Sequence, residues 1–163
     1  MLARVIGVFK LDVKTFQEIE QNTSLTLYAA IIVGLVALLS GIGTGLFNGL
    51  FSRSVLGGFF GTLFSTILGW IVWSVVTWFV GTRFFGGQAT IDEMLRVIGF
   101  AFLPLLLSII PCLGNVVGGI WALVAGFVAI REGLDLDNTK AFLTVAVGFI
   151  GYLILTGIVT AIF

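Results

Sequence analysis

The stretch from Val97 to Ile130 reads VIGFAFLPLLLSIIPCLGNVVGGIWALVAGFVAI and has no charged side chain in 34 positions. A helix that crosses the hydrocarbon layer needs about 20 apolar residues, so this stretch is too long for one crossing. Pro111, Cys112 and Gly114 lie near its middle, in a cluster typical of the end of one helix and the start of another. The stretch therefore predicts a tight hairpin of two membrane-spanning helices.

Three further stretches, 21–52, 54–82 and 141–163, also lack charged residues, and each is long enough for one crossing. The sequence therefore predicts an all-α integral membrane protein, a bundle of five helices that occupies 23–163. The fourth helix is short, so two alternatives stay open for it, a full crossing or a re-entrant segment. The predicted spans lie near 25–47, 56–80, 91–110, 113–130 and 141–163.

The third predicted span has a clear start. Thr90 followed by Glu93 is typical of a capping box, and Asp92 adds negative charge where the helix dipole favours it. Pro104 lies in the middle of this span, where it removes a backbone hydrogen bond and favours a kink. The kink has two interpretations, a functional hinge or plain packing.

Composition excludes several classes of protein. Hydrophobic residues make up 59% of the chain and charged residues 10%, too few charges for a soluble domain. The chain has no histidine and one cysteine, which argues against zinc, haem and histidine-dependent hydrolysis. Its formal net charge is zero, which argues against a nucleic-acid partner. Asp92, Glu93 and Arg96 fall in the headgroup zone of the third span, and the interiors of the predicted spans contain no Asp, Glu, Lys or Arg. We therefore expect no enzyme activity, no cofactor and no metal.

Lysine and arginine are unevenly divided between the two ends of the predicted bundle. With the N-terminus in the cytoplasm, seven of the eight fall inside and only Arg53 falls outside. This asymmetry predicts a cytoplasmic N-terminus and an external C-terminus.

Residues 1–22 predict an amphipathic segment at the cytoplasmic membrane surface. Leu2, Phe9 and Phe16 share one helical face, with charged residues largely opposite. Asp12 falls within the apolar arc and predicts a break. The second piece is capped either by Asp12 or by Thr15 with Glu18.

Small residues recur at four-residue spacing, which lets helix backbones approach closely in lipid. This pattern predicts either helix packing within one subunit or a face for a homo-oligomer or another membrane protein. The positions are Gly41, Gly45, Gly49, Gly114, Gly118, Ala122 and Gly126.

Most of the charged side chains outside residues 1–22 lie in the predicted cytoplasmic loops. Arg83, Arg96 and Arg131 are candidates for contact with lipid headgroups or a partner protein, and the alternative is a solvated edge with helix caps.

One region resembles a known family. The residues FFGGQATIDEMLRVIGFAFLP from Phe84 to Pro104, followed by the Gly118–Glu132 run GGIWALVAGFVAIRE, are similar to the Yip domain family of integral membrane proteins, named for interaction with Ypt/Rab GTPases. The resemblance implies membrane organisation or trafficking as the function. It marks as signature positions Gly86, Gly87, Thr90, Glu93, Pro104 and Arg131.

The chain differs from eukaryotic members because it lacks their long polar cytoplasmic segment, so Rab-type GTPase binding is not carried over. It resembles a compact prokaryotic member, which implies a bacterial or archaeal plasma (inner) membrane. We expect a non-enzymatic membrane organiser that binds lipids or partners. The alternative is a transporter or channel subunit for an uncharged or lipid-like solute. We expect tightly packed spans without a continuous aqueous cavity.

The charge asymmetry gives a topology prediction. A cysteine introduced at Gly86 should react with a membrane-impermeant thiol reagent only from the cytoplasmic side. One added after Phe163 should react only from the outside. Labelling of both positions from the same side would contradict an odd number of crossings.

Overall fold

The computed structural model describes residues 1–51, 53–110 and 113–162, and this part of the chain is helical between short connections, without strands. The predicted all-α class is confirmed. The turn predicted at Pro111 and Cys112 falls on residues outside the described ones, as does Phe163. The helices are α1 (Leu2–Phe9), α2 (Val13–Gln21), α3 (Thr26–Leu50), α4 (Val55–Phe85), α5 (Ile91–Ala101), α6 (Leu113–Gly133) and α7 (Asn138–Ile162), with 3₁₀ segments at Thr23–Leu25 and Leu103–Ile109.

Four segments in the described part of the chain are long and apolar enough to cross a membrane. The shortest, α6, has 21 residues and is about 31 Å long at 1.5 Å per residue, enough for a full crossing. The four segments are Thr23–Leu50, Val55–Phe85, Leu113–Gly133 and Asn138–Val159.

The third predicted span, 91–110, differs from the expectation of one continuous helix. Helix α5 ends at Ala101 and the chain continues as a 3₁₀ segment, Leu103–Ile109. Pro104 explains the change, because its nitrogen has no proton and its ring would clash with the carbonyl of Phe100 in a continuing α-helix. The five-helix count is therefore not confirmed.

The long helices and the 3₁₀ segment at Leu103–Ile109 surround a shared interior. Helix α3 packs on α4 and on the 3₁₀ segment, α4 packs on α7, and α6 packs on the 3₁₀ segment and, more sparsely, on α7. The bundle has two unlike ends. We call the end that holds α2, the start of α5 and the 134–137 loop the charged end, and the opposite end the Arg53 end.

The N-terminal segment breaks at Asp12, as predicted, and Asp12 caps α2 by accepting a hydrogen bond from the Thr15 amide at 3.2 Å. Its apolar face, however, covers protein. Phe16 and Ile19 are fully buried against α5 and α6, whereas Leu2 and Ile6 are exposed. The apolar face of α2 therefore packs on protein, and the place of residues 1–22 at a membrane surface stays a prediction.

The glycines that recur at four-residue spacing make close contacts within the chain. Cβ atoms at Gly41 and Gly45 would lie 3.0 Å from backbone oxygens of α4. A Cβ at Gly126 would lie 2.6 Å from the Trp73 ring, which therefore needs glycine at this position. These contacts are those of packing within one subunit, and a role in an oligomer stays a prediction.

Helix α6 approaches the 3₁₀ segment most closely through its glycines. A Cβ at Gly118 would lie 2.7 Å from the Pro104 carbonyl oxygen, whereas a Cβ at Gly119 would meet nothing within 4 Å. We expect Gly118→Leu to lower the free energy of unfolding by about 1–3 kcal/mol through overpacking. The matched control Gly119→Leu should change it by less than about 0.5 kcal/mol. Thermal unfolding in detergent checks this, and equal melting temperatures for the two variants would show that the close approach is absent.

Candidate functional site

Arg96 is the one charged side chain fully buried in the described part of the protein, with 1% of it exposed. Its Nε donates to the Ile19 carbonyl at 3.0 Å and its Nη2 donates to the Glu20 carbonyl at 2.6 Å. Its Nη1 donates to Thr26 Oγ1 and to Asp92 Oδ2, both at 2.7 Å. One guanidinium therefore joins the end of α2, the start of α3 and the first turn of α5.

Burial of a charge is costly unless it is paired and hydrogen-bonded. Two conditions offset the cost for Arg96. The carbonyls at the end of α2 lack helical partners and form the negative end of a helix dipole, which favours a cation. The carboxylate of Asp92 supplies the opposite charge.

The three candidate arginines therefore have different surroundings. The expectation that Arg96 contacts headgroups or a partner is corrected, because its guanidinium is buried and its nitrogens are occupied. Arg131 is partly exposed and binds Glu132 and Asn138, at 2.7 and 3.2 Å. Arg83, in the last turn of α4, is exposed.

Structural reasons account for the signature positions near the charged end. The predicted capping box is present, because Thr90 Oγ1 accepts from the Glu93 amide at 3.3 Å and Glu93 Oε2 accepts from the Thr90 amide at 2.7 Å. Gly86 ends α4 with φ +73°, a left-handed conformation that favours glycine.

Gly87 allows two loops to touch. A Cβ there would lie 2.9 Å from the Leu134 carbonyl oxygen, and the next amide, Gln88 N–H, donates to this oxygen at 3.1 Å. The Leu134 side chain is fully buried and packs against Gly81. The glycine pair therefore attaches the α4–α5 loop to the α6–α7 loop.

Acidic side chains crowd one side of the charged end. Burial, together with the nearby charges of Asp135, Glu93 and Glu132, raises the pKa of Glu20 to about 7 against the opposing effect of Arg96. Glu20 therefore exchanges a proton near neutral pH.

The Arg53 end contains a polar cavity of about 540 Å³, which the sequence-based reasoning did not predict. Ser40, Thr44 and Asn48 line it from α3, and their four-residue spacing was a signal that could have revealed a polar helix face. The other lining residues are Val36, Arg53, Ser54, Gly57, Gly58, Gly61, Thr62, Ser65, Thr66, Leu105, Ser108, Asn115, Tyr152 and Thr156.

The cavity occupies only one half of the bundle. From Ser54 to Thr66 it follows about 18 Å of α4, at 1.5 Å per residue. Beyond Thr66 the polar lining ends, and apolar core side chains that include Trp73 and Phe102 follow. The expectation of tight packing is wrong for the Arg53 half, where this cavity lies. The expectation that no continuous aqueous cavity crosses the bundle stays a prediction.

Comparison with known proteins bears on this arrangement. The family model described as the Yip1 domain matches residues 6–160, nearly the whole chain. The chain belongs to the Yip1 domain family. No curated protein and no solved structure matches it.

Within this Yip1 domain, we expect Arg96→Lys to lower the free energy of unfolding by about 2 kcal/mol, because an ammonium group cannot serve all four acceptors at once. The matched control Arg83→Lys, at an exposed position, should change it by less than about 0.5 kcal/mol. Thermal unfolding measures the loss, and limited proteolysis of residues 1–22 measures whether α1 and α2 detach. Equal behaviour of the two variants would contradict the role of Arg96 as a linker.

The Glu20 pKa predicts a pH dependence for this Yip1 domain. Its pKa of about 7 in the folded state lies above the ordinary value of 4.5, so between these two pH values the folded state holds a proton that the unfolded state has lost. Stability should therefore fall as pH rises from 4.5 to 7 and should lose nothing more from this group above 7. Glu20→Gln should remove this part of the dependence and raise the melting temperature at pH 8. Parallel pH profiles for the two proteins would exclude Glu20 as the cause.

Proposed function

We propose that this Yip1 domain is a non-catalytic membrane protein that organises its membrane by capturing a partner protein at its charged end. Family membership and the apolar helices support its place in a membrane. As further parts of this proposal, the membrane is a prokaryotic plasma membrane and the charged end faces the cytoplasm. A Rab-type GTPase is not among the proposed partners.

The observation that carries the proposal is the construction of the charged end as one connected surface. Arg96 joins α2, α3 and α5. Gln17 Nε2 donates to Glu132 Oε2 at 2.8 Å, which joins α2 to α6. Gln88 joins the α4–α5 loop to Leu134. A surface held in one conformation loses little entropy on binding, which favours recognition.

The proposed topology has five passages of the chain between the two ends. Four are regular helices, and the third is α5 together with the 3₁₀ segment at Leu103–Ile109. Their lengths, 11 residues at about 1.5 Å and 7 at about 2.0 Å, total about 30 Å, the thickness of the hydrocarbon layer. Backbone of this kind is tolerated at membrane depth where protein surrounds it, and Leu103, Pro104 and Ser108 are buried.

The polar cavity favours a second candidate function, a transporter or channel subunit for an uncharged or lipid-like solute. Its lining offers many hydroxyl groups but only Arg53 as a charge. Transport would require a second conformation that opens the packed half between Trp73 and the charged end. Partner capture requires no such change, and it is therefore the function we favour.

Photo-crosslinking in native membranes tests the proposal. A photoreactive amino acid at Arg83 or at Gln88, both exposed at the charged end, should give a discrete adduct with a second protein. The same group at Leu56, exposed near the Arg53 end, should give no such adduct. Adducts with a second copy of the chain would show that the partner is another molecule of this protein, in a homo-oligomer. Adducts with lipid alone at every position would contradict partner capture.

A further inference from the structure

We propose that α1 and α2 form a re-entrant hairpin that brings water and lipid headgroups to the middle of the bilayer, so that the protein thins the leaflet at its charged end beside α6. The tip of this hairpin is residues 10–12, between the two helices. The inference depends on the placement of α6 and α7 across a membrane. It is independent of partner capture at the charged end.

The two N-terminal helices fold back on each other. A Cβ at Gly7 of α1 would collide with the side chain of Thr15 in α2, and these two positions are equally far from the tip. Farther from the tip, Arg4 Nε donates to Glu18 Oε1 at 3.0 Å. Contacts in this nested order are those of two antiparallel helices joined by a short loop.

The tip lies far from the charged end of α6. Trp121 Nε1 donates to the carbonyl oxygen of Phe9, the last residue of α1, at 3.2 Å. At 1.5 Å per residue, Trp121 is about 18 Å from Gly133 at the charged end of α6 and about 12 Å from Leu113 at its other end. Helix α1 also contacts the 3₁₀ segment Leu103–Ile109, which lines part of the polar cavity. The tip therefore lies near the middle of α6.

The ring of Trp73 shows which residues of α6 and α7 lie at the same depth. Cβ atoms at Gly126 of α6 and at Gly148 of α7 would lie 2.6 and 2.5 Å from this ring, so the two glycines are level with one another. Equal numbers of residues counted from these glycines toward the Arg53 end reach Trp121 on α6 and Leu153 on α7. Trp121 and Leu153 therefore lie at about the same depth.

The two sides of the bundle differ in polarity down to this depth. On α7, every exposed side chain from Phe142 to Leu153 is apolar, over about 16 Å at 1.5 Å per residue. On the hairpin, the exposed charged residues Lys10, Asp12 and Lys14 lie at or beside the tip, near the deep end of the same interval. Hydrocarbon therefore covers the α7 side where the hairpin side presents charge.

Exposed charges at this depth favour the entry of water. Ionised side chains in hydrocarbon are costly, and snorkelling, local thinning of the bilayer and water defects lower the cost. Lysine has a long stem that extends toward headgroups, whereas aspartate does not. The Asp12 carboxylate is also fixed at the tip, because it caps α2 by accepting from the Thr15 amide at 3.2 Å. Water and headgroups that reach the tip remove the cost.

The outer surface of the hairpin suits a displaced membrane interface. Leu2 and Ile6 of α1 are exposed and apolar. The Lys10 ammonium group forms no ion pair within the described part of the chain, so it is available for lipid phosphate. Amphipathic surfaces of this kind settle where headgroups meet acyl chains. Because contacts with α5, α6 and the 3₁₀ segment hold the hairpin deep in the bundle, this boundary moves to the hairpin.

Crosslinking in phosphatidylcholine vesicles tests the depth of the tip. The full-length protein carries Lys10→Cys and Val117→Cys in a Cys112→Ser background. Val117 is exposed one turn from Trp121 on the same face of α6, so a flexible bis-maleimide should join the two cysteines within one chain. The control pair Lys10→Cys and Leu153→Cys, at the same depth on the α7 side, should not be joined. Absence of the first product, or equal yields for the two pairs, would overturn the deep placement.

A nitroxide at the tip tests whether water reaches it. In the same vesicles, a nitroxide on Lys10→Cys should collide with a water-soluble nickel chelate several-fold more often than one on Leu153→Cys, as measured by the saturation of the electron paramagnetic resonance signal. Equal accessibility to nickel at the two positions would show that hydrocarbon covers the tip and would overturn the proposal.

Depth-dependent quenching distinguishes lipid headgroups from water alone. A fluorophore on Lys10→Cys should be quenched more strongly by a lipid with a nitroxide on its headgroup than by one with a nitroxide near the end of an acyl chain. The same fluorophore on Leu153→Cys should show the opposite preference. Quenching at both positions by the chain-end nitroxide alone would overturn leaflet thinning. Crosslinking at Arg83 or Gln88 is measured separately, so failure of this proposal leaves partner capture intact.

Discussion

The hydrogen bonds of Arg96 hold together the part of the structure on which the rest depends. A chain with so few charged residues buries one of them completely, and it does so where unpaired carbonyls of α2 and the carboxylate of Asp92 surround the guanidinium. The same contacts bring α2, α3 and α5 to one point. Because the N-terminal segment is fastened there, Phe16 and Ile19 become part of the core instead of lying on a lipid surface.

Glycine determines how closely the remaining elements approach one another. Gly126 provides space for the ring of Trp73, and Gly118 lies against the carbonyl oxygen of Pro104. Gly87 allows the Leu134 carbonyl to reach the neighbouring loop. In lipid, helices gain little from hydrophobic burial, so close van der Waals packing of this kind is the main stabilising term.

The two halves of the bundle are built differently. The charged half is filled with aromatic and aliphatic side chains and ends in a connected charged surface. The Arg53 half contains hydroxyl groups around a cavity. The proposed partner capture uses the rigid half.

The sequence by itself determined the helical class, the four long apolar helices, the start of α5 at Thr90 and the break at Asp12. These features depend on composition, on hydrophobic length and on hydrogen bonds between residues at most three positions apart, so they can be read locally. Only the tertiary structure decided the burial of Arg96 and the location of the cavity. The partners of Arg96 at Ile19 and Glu20 are 77 and 76 residues away along the chain, and no local pattern indicates that they meet. The cavity likewise exists only because polar faces of separate helices point toward the same interior.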